Sequence, residues 1–505
     1  MTSRVDKVLN HITMYRLALY YVAALLALAF GLGFFSLVPS DPTALAFSGV
    51  VVIGTCWLTN RLFAALLSVS VNSESTHITA IILVLILTPV TAADQIGVAG
   101  LVLASAAAIA SKFVLAIRGK HIFNPVAVGV TVSMFALDQP ATWWVGGNLA
   151  LLAPVLLGGL LVTRKMQRFE MIGVYVLANL AATLATTQLD MAGQAMTEAL
   201  LHSPLLFAGF AMLTEPLTAP QARAPRLAYG AIVGLLSSPN IHIGDFYLTP
   251  ETAFLVGNAF AYAVNPKGRF KFTLLRIEKM ASGCYDFVFK SDRKLSFSPG
   301  QYLDWTLDVR HPDNRGNRRP FTIASAPTDE EVRLGVKFYP GASAFKRRLA
   351  ALKPGDVIHG SQLAGSFTLP KDRNTKLAFI AGGIGVTPFR SMVQDLANRG
   401  DNRSIVMLYG NNKVSEIAYS DVFDRAEEEL GIRTIYAVAD DPIVDSHIHP
   451  GFIDAALIQR EIPDYQERLF YISGPRAMVV RFKTVLRDLG VARSRIKVDF
   501  FPGFA

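Results

Sequence analysis

Four consecutive residues, Arg319-Pro320-Phe321-Thr322, place a guanidinium, an aromatic ring and a hydroxyl in one short stretch. Each type has a task at a planar redox cofactor. Arg319 can fork onto a pyrophosphate. Phe321 can stack on an isoalloxazine face, and Thr322 can hydrogen-bond the ring edge near N5, where a hydride arrives. A plain β-strand holds such residues too, so the context decides. Gly341-Ala342-Ser343 marks a strand-to-helix turn whose N–H groups and Ser343 hydroxyl suit a phosphate. Gly365-Ser366 then follows the turn Pro354-Gly355-Asp356.

A second constellation begins where the apolar run Lys376–Ala381 meets Gly382-Gly383-Ile384-Gly385-Val386-Thr387-Pro388. The pattern reads strand, glycine turn, helix start, with Thr387 as N-cap and Pro388 at the first helical position. Gly382, Gly383 and Gly385 let a diphosphate approach the helix N-terminus. Expected strands at Ile405–Tyr409, Thr434–Val438, Leu469–Ser473 and Ile496–Phe500 interleave with helices at Met392–Asn398, Val422–Leu430 and Ala477–Leu489. That alternation predicts a doubly wound α/β domain over residues 372–505. Tyr409 and Asn411 are expected near an adenine ribose. No acidic residue directly follows their strand and no Arg pair is present, which leaves NADH and NADPH open.

Between these constellations and the N-terminus lies a shift in composition. The chain has 505 residues, 51% of them hydrophobic, and a mean hydropathy of +0.36. The long apolar runs fall almost wholly before residue 266, and charge is dense after it. Residues 267–371 alternate as short strands with Pro-Gly turns, which predicts a small six-stranded antiparallel barrel. The net charge of +9 contains no Lys/Arg block and is read as membrane anchoring, not as a nucleic-acid surface. Two cysteines, Cys56 and Cys284, build neither a disulfide framework nor an iron–sulfur or zinc motif. No metal site is expected.

Residues 1–266 are expected to form a polytopic all-α membrane domain of about ten spans: 16–37, 44–64, 78–90, 96–117, 123–137, 147–162, 171–186, 203–213, 227–236 and 251–264. The intervening loops 39–43, 91–95, 138–146, 187–202 and 237–250 contain no Lys or Arg. That asymmetry puts them outside and both termini in the cytoplasm. Polar residues within such a domain should face its interior. Two clusters qualify: Gly119-Lys120-His121-Ile122-Phe123-Asn124-Pro125 with Ser111-Lys112, and Thr214-Glu215-Pro216-Leu217-Thr218. Pro125 and Pro216 free backbone groups that suit a ligand cavity near Asn124 and Glu215. The alternative is that these residues end helices and bind headgroups. His77, His121, His202 and His242 show no paired spacing of the kind a haem needs.

The clusters, with Thr249-Pro250-Glu251-Thr252-Ala253-Phe254-Leu255-Val256-Gly257-Asn258, resemble the NqrB/RnfD family, membrane subunits of sodium-translocating NADH:quinone reductase and of Rnf electron-transport complexes. The resemblance implies about ten spans in a bacterial-type inner membrane, flavin within the membrane and use of NADH. Family members carry FMN on a threonine in a long outer loop. Here that loop is only 138–146 and 191–197 is a poor substitute, so non-covalent FMN or riboflavin near Asn124 and Glu215 is expected instead. The second half resembles the ferredoxin–NADP reductase superfamily in the Arg319 motif, the glycine turn, Ser473-Gly474-Pro475-Arg476-Ala477-Met478 and the terminal Phe501-Pro502-Gly503-Phe504. That resemblance implies FAD, with Gly474, Pro475 and Met478 at the nicotinamide. It also implies Thr322, Ser473 and Phe504 at the site of hydride transfer, with Phe501 against the cofactor. Ser473 stands where many relatives have Cys.

The expected protein is thus a membrane-bound NAD(P)H oxidoreductase. Hydride passes to FAD, and electrons pass into the membrane half towards a quinone, a membrane flavin or an outer-face partner. Two rivals differ in class: a transporter or scaffold that senses nucleotide without turnover, and a reductase for which the membrane half is only an anchor.

Overall fold

The computed structural model describes Val5, Leu9 and residues 12–67, 73–117, 120–265, 269–309, 317–441 and 448–501. It divides into two compact units, Ile12–Gly268 and Arg269–Ala505, the latter grouped with Met1–His11.

The first unit is helical. Its helices are α1 (Met14–Gly33), α2 (Pro42–Leu67), α3 (Ser73–Ile86), α4 (Gln95–Val114), α5 (Pro125–Leu137), α6 (Leu149–Met166), α7 (Phe169–Ala185), α8 (Ala192–Leu201), α9 (Leu205–Ala208, continued by a π-helical turn Gly209–Leu213), α10 (Arg223–Leu236) and α11 (Pro250–Val264). Each of the ten expected apolar segments carries a helix. Among the described residues four helices (α1, α2, α4 and α6) are long and apolar enough to cross a membrane, and α8 with α9 forms a bent pair that adds a fifth if it counts as one span. The 14 residues of α3 rise only about 21 Å at 1.5 Å per residue, short of a hydrocarbon core of about 30 Å. The stretch 187–202, expected as a loop, instead holds α8.

Local chemistry sets the helix starts. Asn124 caps α5, accepting from Ala127 N at 3.2 Å ahead of Pro125. Thr249 and Thr252 form a capping box at α11, again followed by Pro250. Small residues let helices touch: a Cβ on Gly129 of α5 would lie 2.3 Å from Ala104 O of α4. Val50, Leu66, Leu157 and Leu177 are two-thirds or more exposed, an outer surface made of large apolar side chains.

The second unit holds two sheets. Strands β1 (Phe270–Ala281), β2 (Cys284–Ser291), β3 (Tyr302–Thr306), β4 (Arg318–Thr322), β5 (Val332–Lys337) and β6 (Val357–Ala364) form one antiparallel sheet in the order β4-β3-β6-β1-β2-β5. Its inner face buries Phe272, Phe287, Phe289, Leu303 and Trp305, and α12 (Ala344–Ala350) follows β5. The other six strands are parallel: β7 (Leu377–Gly382), β8 (Ile405–Asn411), β9 (Arg433–Val438), β10 (Ile448–Pro450), β11 (Leu469–Pro475) and β12 (Ile496–Phe501). Their order is β10-β9-β8-β7-β11-β12. The helices between them are α13 (Thr387–Arg399), α14 (Ser420–Leu430), α15 (Ala455–Glu461) and α16 (Arg476–Asp488). The chain starts centrally at β7, winds one way to β10 and returns to β11, so the strand order reverses between β7 and β11. Ligands of open parallel sheets bind at the carboxyl ends of strands at such a switch point.

β10 and α15 had no counterpart in the sequence reading. Three residues and seven residues are too short for periodicity to register. The helix start also differs. A 3-10 turn, Gly383–Val386, precedes α13, so Thr387 and Pro388 occupy its first two positions and Val386 the cap. The Thr387 hydroxyl donates to Ile384 O at 3.3 Å instead of capping.

Candidate active site and a buried polar cluster

In the second unit the glycine turn and the carboxyl end of β11 press together at the switch point. A Cβ on Gly385 would stand 2.5 Å from Gly474 Cα and 2.7 Å from Ser473 O, closer than any side chain permits. One on Gly382 would meet Met478 Sδ at 2.2 Å. Gly383 has φ +51°, the left-handed region that glycine occupies without strain. The sequence motifs at 382–388 and 473–478, some 90 positions apart, are therefore one structural feature. Ser473 is fully buried, and its hydroxyl has no hydrogen-bond partner among the described residues. A buried hydroxyl left unpaired costs about 1–3 kcal/mol. A ligand offering it a partner removes that cost, and a nicotinamide carboxamide is such a group. Pro475 lies opposite Phe501 in the β11–β12 register. The Phe501 side chain and Phe504 lie outside the described residues.

β4 carries the other half of the site at the edge of the antiparallel sheet. Thr322 pairs opposite Tyr302, is 3% exposed, and its Oγ1 also lacks a partner among the described residues. The Phe321 ring lies 5.9 Å from that of Phe345. The Arg319 guanidinium sits 5.4 Å over the same Phe345 ring. Ser343 caps α12, accepting from Lys346 N at 3.3 Å. Arg319, Phe321 and the Gly341–Ser343 turn thus converge on Phe345, the second residue of α12. Gly365 (φ +120°) accepts from Gln301 Nε2 at 3.3 Å, and Ser366 beside it is exposed. Pro320 pairs opposite Asp304, whose carboxyl burial pushes up to about 6 against the opposing influence of Arg318.

Two residues that no motif pointed to join these halves. Arg390 Nη1 donates to Ala324 O at 2.8 Å, and Ser391 Oγ donates to Ser325 O at 2.7 Å. Helix α13, which the glycine turn begins, is thereby fastened to the backbone just after Thr322. Helical spacing puts Thr387, Arg390 and Ser391 on one face, the sole sequence signal for them. Tyr409, expected near an adenine ribose, is fully buried, and its hydroxyl accepts from Ala418 N at 3.2 Å. Asn411, also buried, ends β8 two residues further on.

The unpaired Thr322 and Ser473 hydroxyls, Arg319 and the glycine turn fit a flavin and a dinucleotide. FAD would be held by Arg319, Phe321 and Thr322 and the nucleotide by Gly382–Pro388 and Ser473–Met478.

The helical unit brings its own three motifs together. Glu215 Oε1 bonds His121 Nε2 at 3.0 Å, while Oε2 accepts from Asn124 Nδ2 at 3.0 Å and Thr218 Oγ1 at 3.1 Å. Asn124 N donates to Asn258 Oδ1 at 2.7 Å, and Asn258 Nδ2 donates to the Tyr229 hydroxyl at 3.1 Å. Lys112 Nζ donates to Ser75 O at 2.9 Å. A cleft lined by Tyr15, Ser75, Asn124, Pro125, Thr214 and Glu215 runs alongside. The Glu215 carboxylate is thus occupied by protein donors. Of the other histidines, His77 Nδ1 lies 2.7 Å from Ser73 O and His242 Nδ1 lies 2.8 Å from Gly244 O. Gly119 lies outside the described residues.

Comparison with known proteins gives a match in each half of the chain. Residues 145–266 match the NQR2, RnfD, RnfE family and residues 379–483 match the oxidoreductase NAD-binding domain. The chain is 26% identical over 277 residues to a flavohemoprotein of Bacillus cereus (strain ATCC 10987 / NRS 248), covering 51% of this chain and 68% of that protein. It is 27% identical over 211 residues to terephthalate 1,2-dioxygenase reductase component 1 of Comamonas sp, covering 41% and 60%. Among solved structures, the cytochrome b5 reductase domain of Ulva prolifera nitrate reductase aligns with a TM-score of 0.42 at 22% identity, over 47% of this chain and 98% of that one. Residues 145–266 are thus similar to the NQR2, RnfD, RnfE family and residues 379–483 to the oxidoreductase NAD-binding domain.

Proposed function

We propose that the protein is a membrane-bound NAD(P)H:acceptor oxidoreductase. The carrying observation is the contact of Gly385 with Gly474 beside the unpaired Ser473 hydroxyl, in one unit with the unpaired Thr322 hydroxyl. In this reading residues 372–505 bind NAD(P)H and residues 267–371, closed as a barrel, bind FAD. The glycine turn takes the diphosphate on backbone N–H groups. Ser473 orients the nicotinamide, Thr322 donates at the flavin edge, and Arg319 neutralises the pyrophosphate. Arg390 and Ser391 hold the two seats at a fixed separation, which is where proximity gains its rate advantage. Bound FAD supplies the means to accept a hydride and release single electrons.

The membrane half, 1–266 with about ten spans and both termini cytoplasmic, receives those electrons. The acceptor is a quinone, a non-covalent FMN or riboflavin in the cleft near Asn124 and Glu215, or a partner at the outer face. The anchor-only reading draws support from one observation, that Glu215 is already satisfied by protein donors. A flavin count separates the two. Purified protein extracted for flavin should yield FAD, and a second, acid-extractable flavin if the cleft is occupied. One FAD alone supports the anchor version, and a colourless protein overturns the proposal.

A further inference from the structure

We infer that the cationic face of the antiparallel sheet, carried by β1, β2 and β6, rests on anionic lipid headgroups. The inference builds on the membrane reading above. In the register of the sheet, Lys271 and Thr273 of β1 stand beside His359 and Val357 of β6, and Thr273 stands beside Lys290 of β2. Paired and alternate residues share a face, so Lys271, His359 and Lys290 point the same way, and all three are exposed. Arg269 precedes them, and Arg293 and Lys294 follow in the turn after β2. Arg293 Nη2 donates to Arg269 O at 2.9 Å, and its guanidinium stacks 4.3 Å over Phe270. Arg269, Lys271, Lys290, Arg293 and Lys294 therefore gather around Asp292, whose carboxylate accepts from Lys271 N at 3.0 Å. Partial burial, added to crowding by Arg269 and Lys271, holds the His359 imidazole below its ordinary range.

The far end of the same strand is built differently. Arg276 bonds Glu331 and Glu278 at 2.6 Å, and Arg333 bonds Glu278 at 2.7 Å and Asp286 at 3.0 Å. Along β1, about 17 Å separates a neutralised end from a cationic one. Lys271, Lys290 and Lys294 have no carboxylate partner among the described residues. A charged face that served solubility alone would not need this asymmetry. The cationic end is the one tied to the helical unit. Arg269 follows Asn265 by four residues, which span at most about 14 Å. That tether keeps Arg269 near the membrane surface, where an anionic leaflet attracts each Lys or Arg by about fivefold in equilibrium. Val357, 41% exposed amid the cations, adds an apolar side chain suited to the headgroup boundary.

The test is lysine footprinting of the full chain in nanodiscs of phosphatidylcholine, with and without phosphatidylglycerol. A water-soluble acetylating reagent should modify Lys271, Lys290 and Lys294 at least about fivefold more slowly in the anionic discs. Exposed Lys353 and Lys413 serve as internal references, and high salt should erase the contrast. Arg269→Gln with Arg293→Gln should weaken it without touching the lysines. Equal labelling in both lipids would overturn the inference, as would protection that appears only when an acidic protein is added. The membrane reading fails separately, if alkaline carbonate washes the protein from membranes.

Discussion

Two buried polar groups of residues, one in each unit, are built in opposite ways. In the helical unit, Glu215, His121, Asn124, Thr218, Asn258 and Tyr229 satisfy one another in a closed network. In the second unit, the Thr322 and Ser473 hydroxyls are buried with no partner among the described residues. Buried polar groups are paired unless something else is meant to pair them. In the proposed reading, a bound ligand pairs the open Thr322 and Ser473 hydroxyls. The closed network marks a device that holds α5, the turn before α10 and α11 together, whatever else the neighbouring cleft accommodates. The same sequence signal, a polar residue in an apolar setting, thus has two meanings, which only the partners distinguish.

The largest expected effect tests the closed side. Glu215→Leu strips the acceptor from His121, Asn124 and Thr218 and should cost the helical unit about 3–5 kcal/mol. The readout is loss of the folded membrane-extracted protein in detergent. Glu215→Gln, keeping one oxygen, should retain the fold and NAD(P)H reduction of a soluble dye. If Glu215→Gln folds normally but loses a membrane flavin, the network is a ligand site and the contrast breaks. Next is Gly385→Val, which drives a side chain into Gly474. Stopped-flow flavin reduction should slow by about 100-fold while bound flavin is retained. Normal kinetics would mean that nucleotide does not use this turn.

Ser473→Ala sharpens the open side. Removing an unpaired buried hydroxyl should leave the melting temperature unchanged or raise it, while hydride transfer slows by about tenfold. A loss of stability would show that Ser473 is paired by protein after all. The smallest effect concerns Asp304. Its carboxyl rises from 3.8 in the unfolded chain to about 6 in the fold, so the folded state binds more protons between those values. Its contribution to stability is therefore greatest below about pH 4, declines as pH rises towards 6 and stays low above that. Asp304→Asn should stabilise the second unit by about 1–2 kcal/mol at pH 7.5 and by little at pH 4. Equal shifts at both pH values would contradict it.

Much of this was legible in the sequence because the chemistry is local. Gly382–Pro388 and Ser473–Met478 declare a strand, a turn and a helix start within seven residues. The apolar segments find their helices because a bilayer-like run has few alternatives. What stayed hidden depends on partners distant in sequence. Arg390 and Ser391 act on Ala324 and Ser325, 66 residues away. Tyr409 reads as a binding residue at a strand end, yet its strand is central and its ring packs against Phe423. α8 hides in a stretch with Gln188, Asp190, Gln194 and Glu198, polar enough to pass for a loop.

In the proposed reading the second unit joins a nucleotide seat to a flavin seat across the Gly385–Gly474 contact. The most direct test is anaerobic mixing of NADH, and separately NADPH, with the purified full-length protein while the flavin absorbance is followed. The account predicts complete bleaching by one of the nucleotides in wild type and a strongly slowed phase in Gly385→Val. Bound flavin that neither nucleotide reduces, or a Gly385→Val variant that bleaches as fast as wild type, would contradict it.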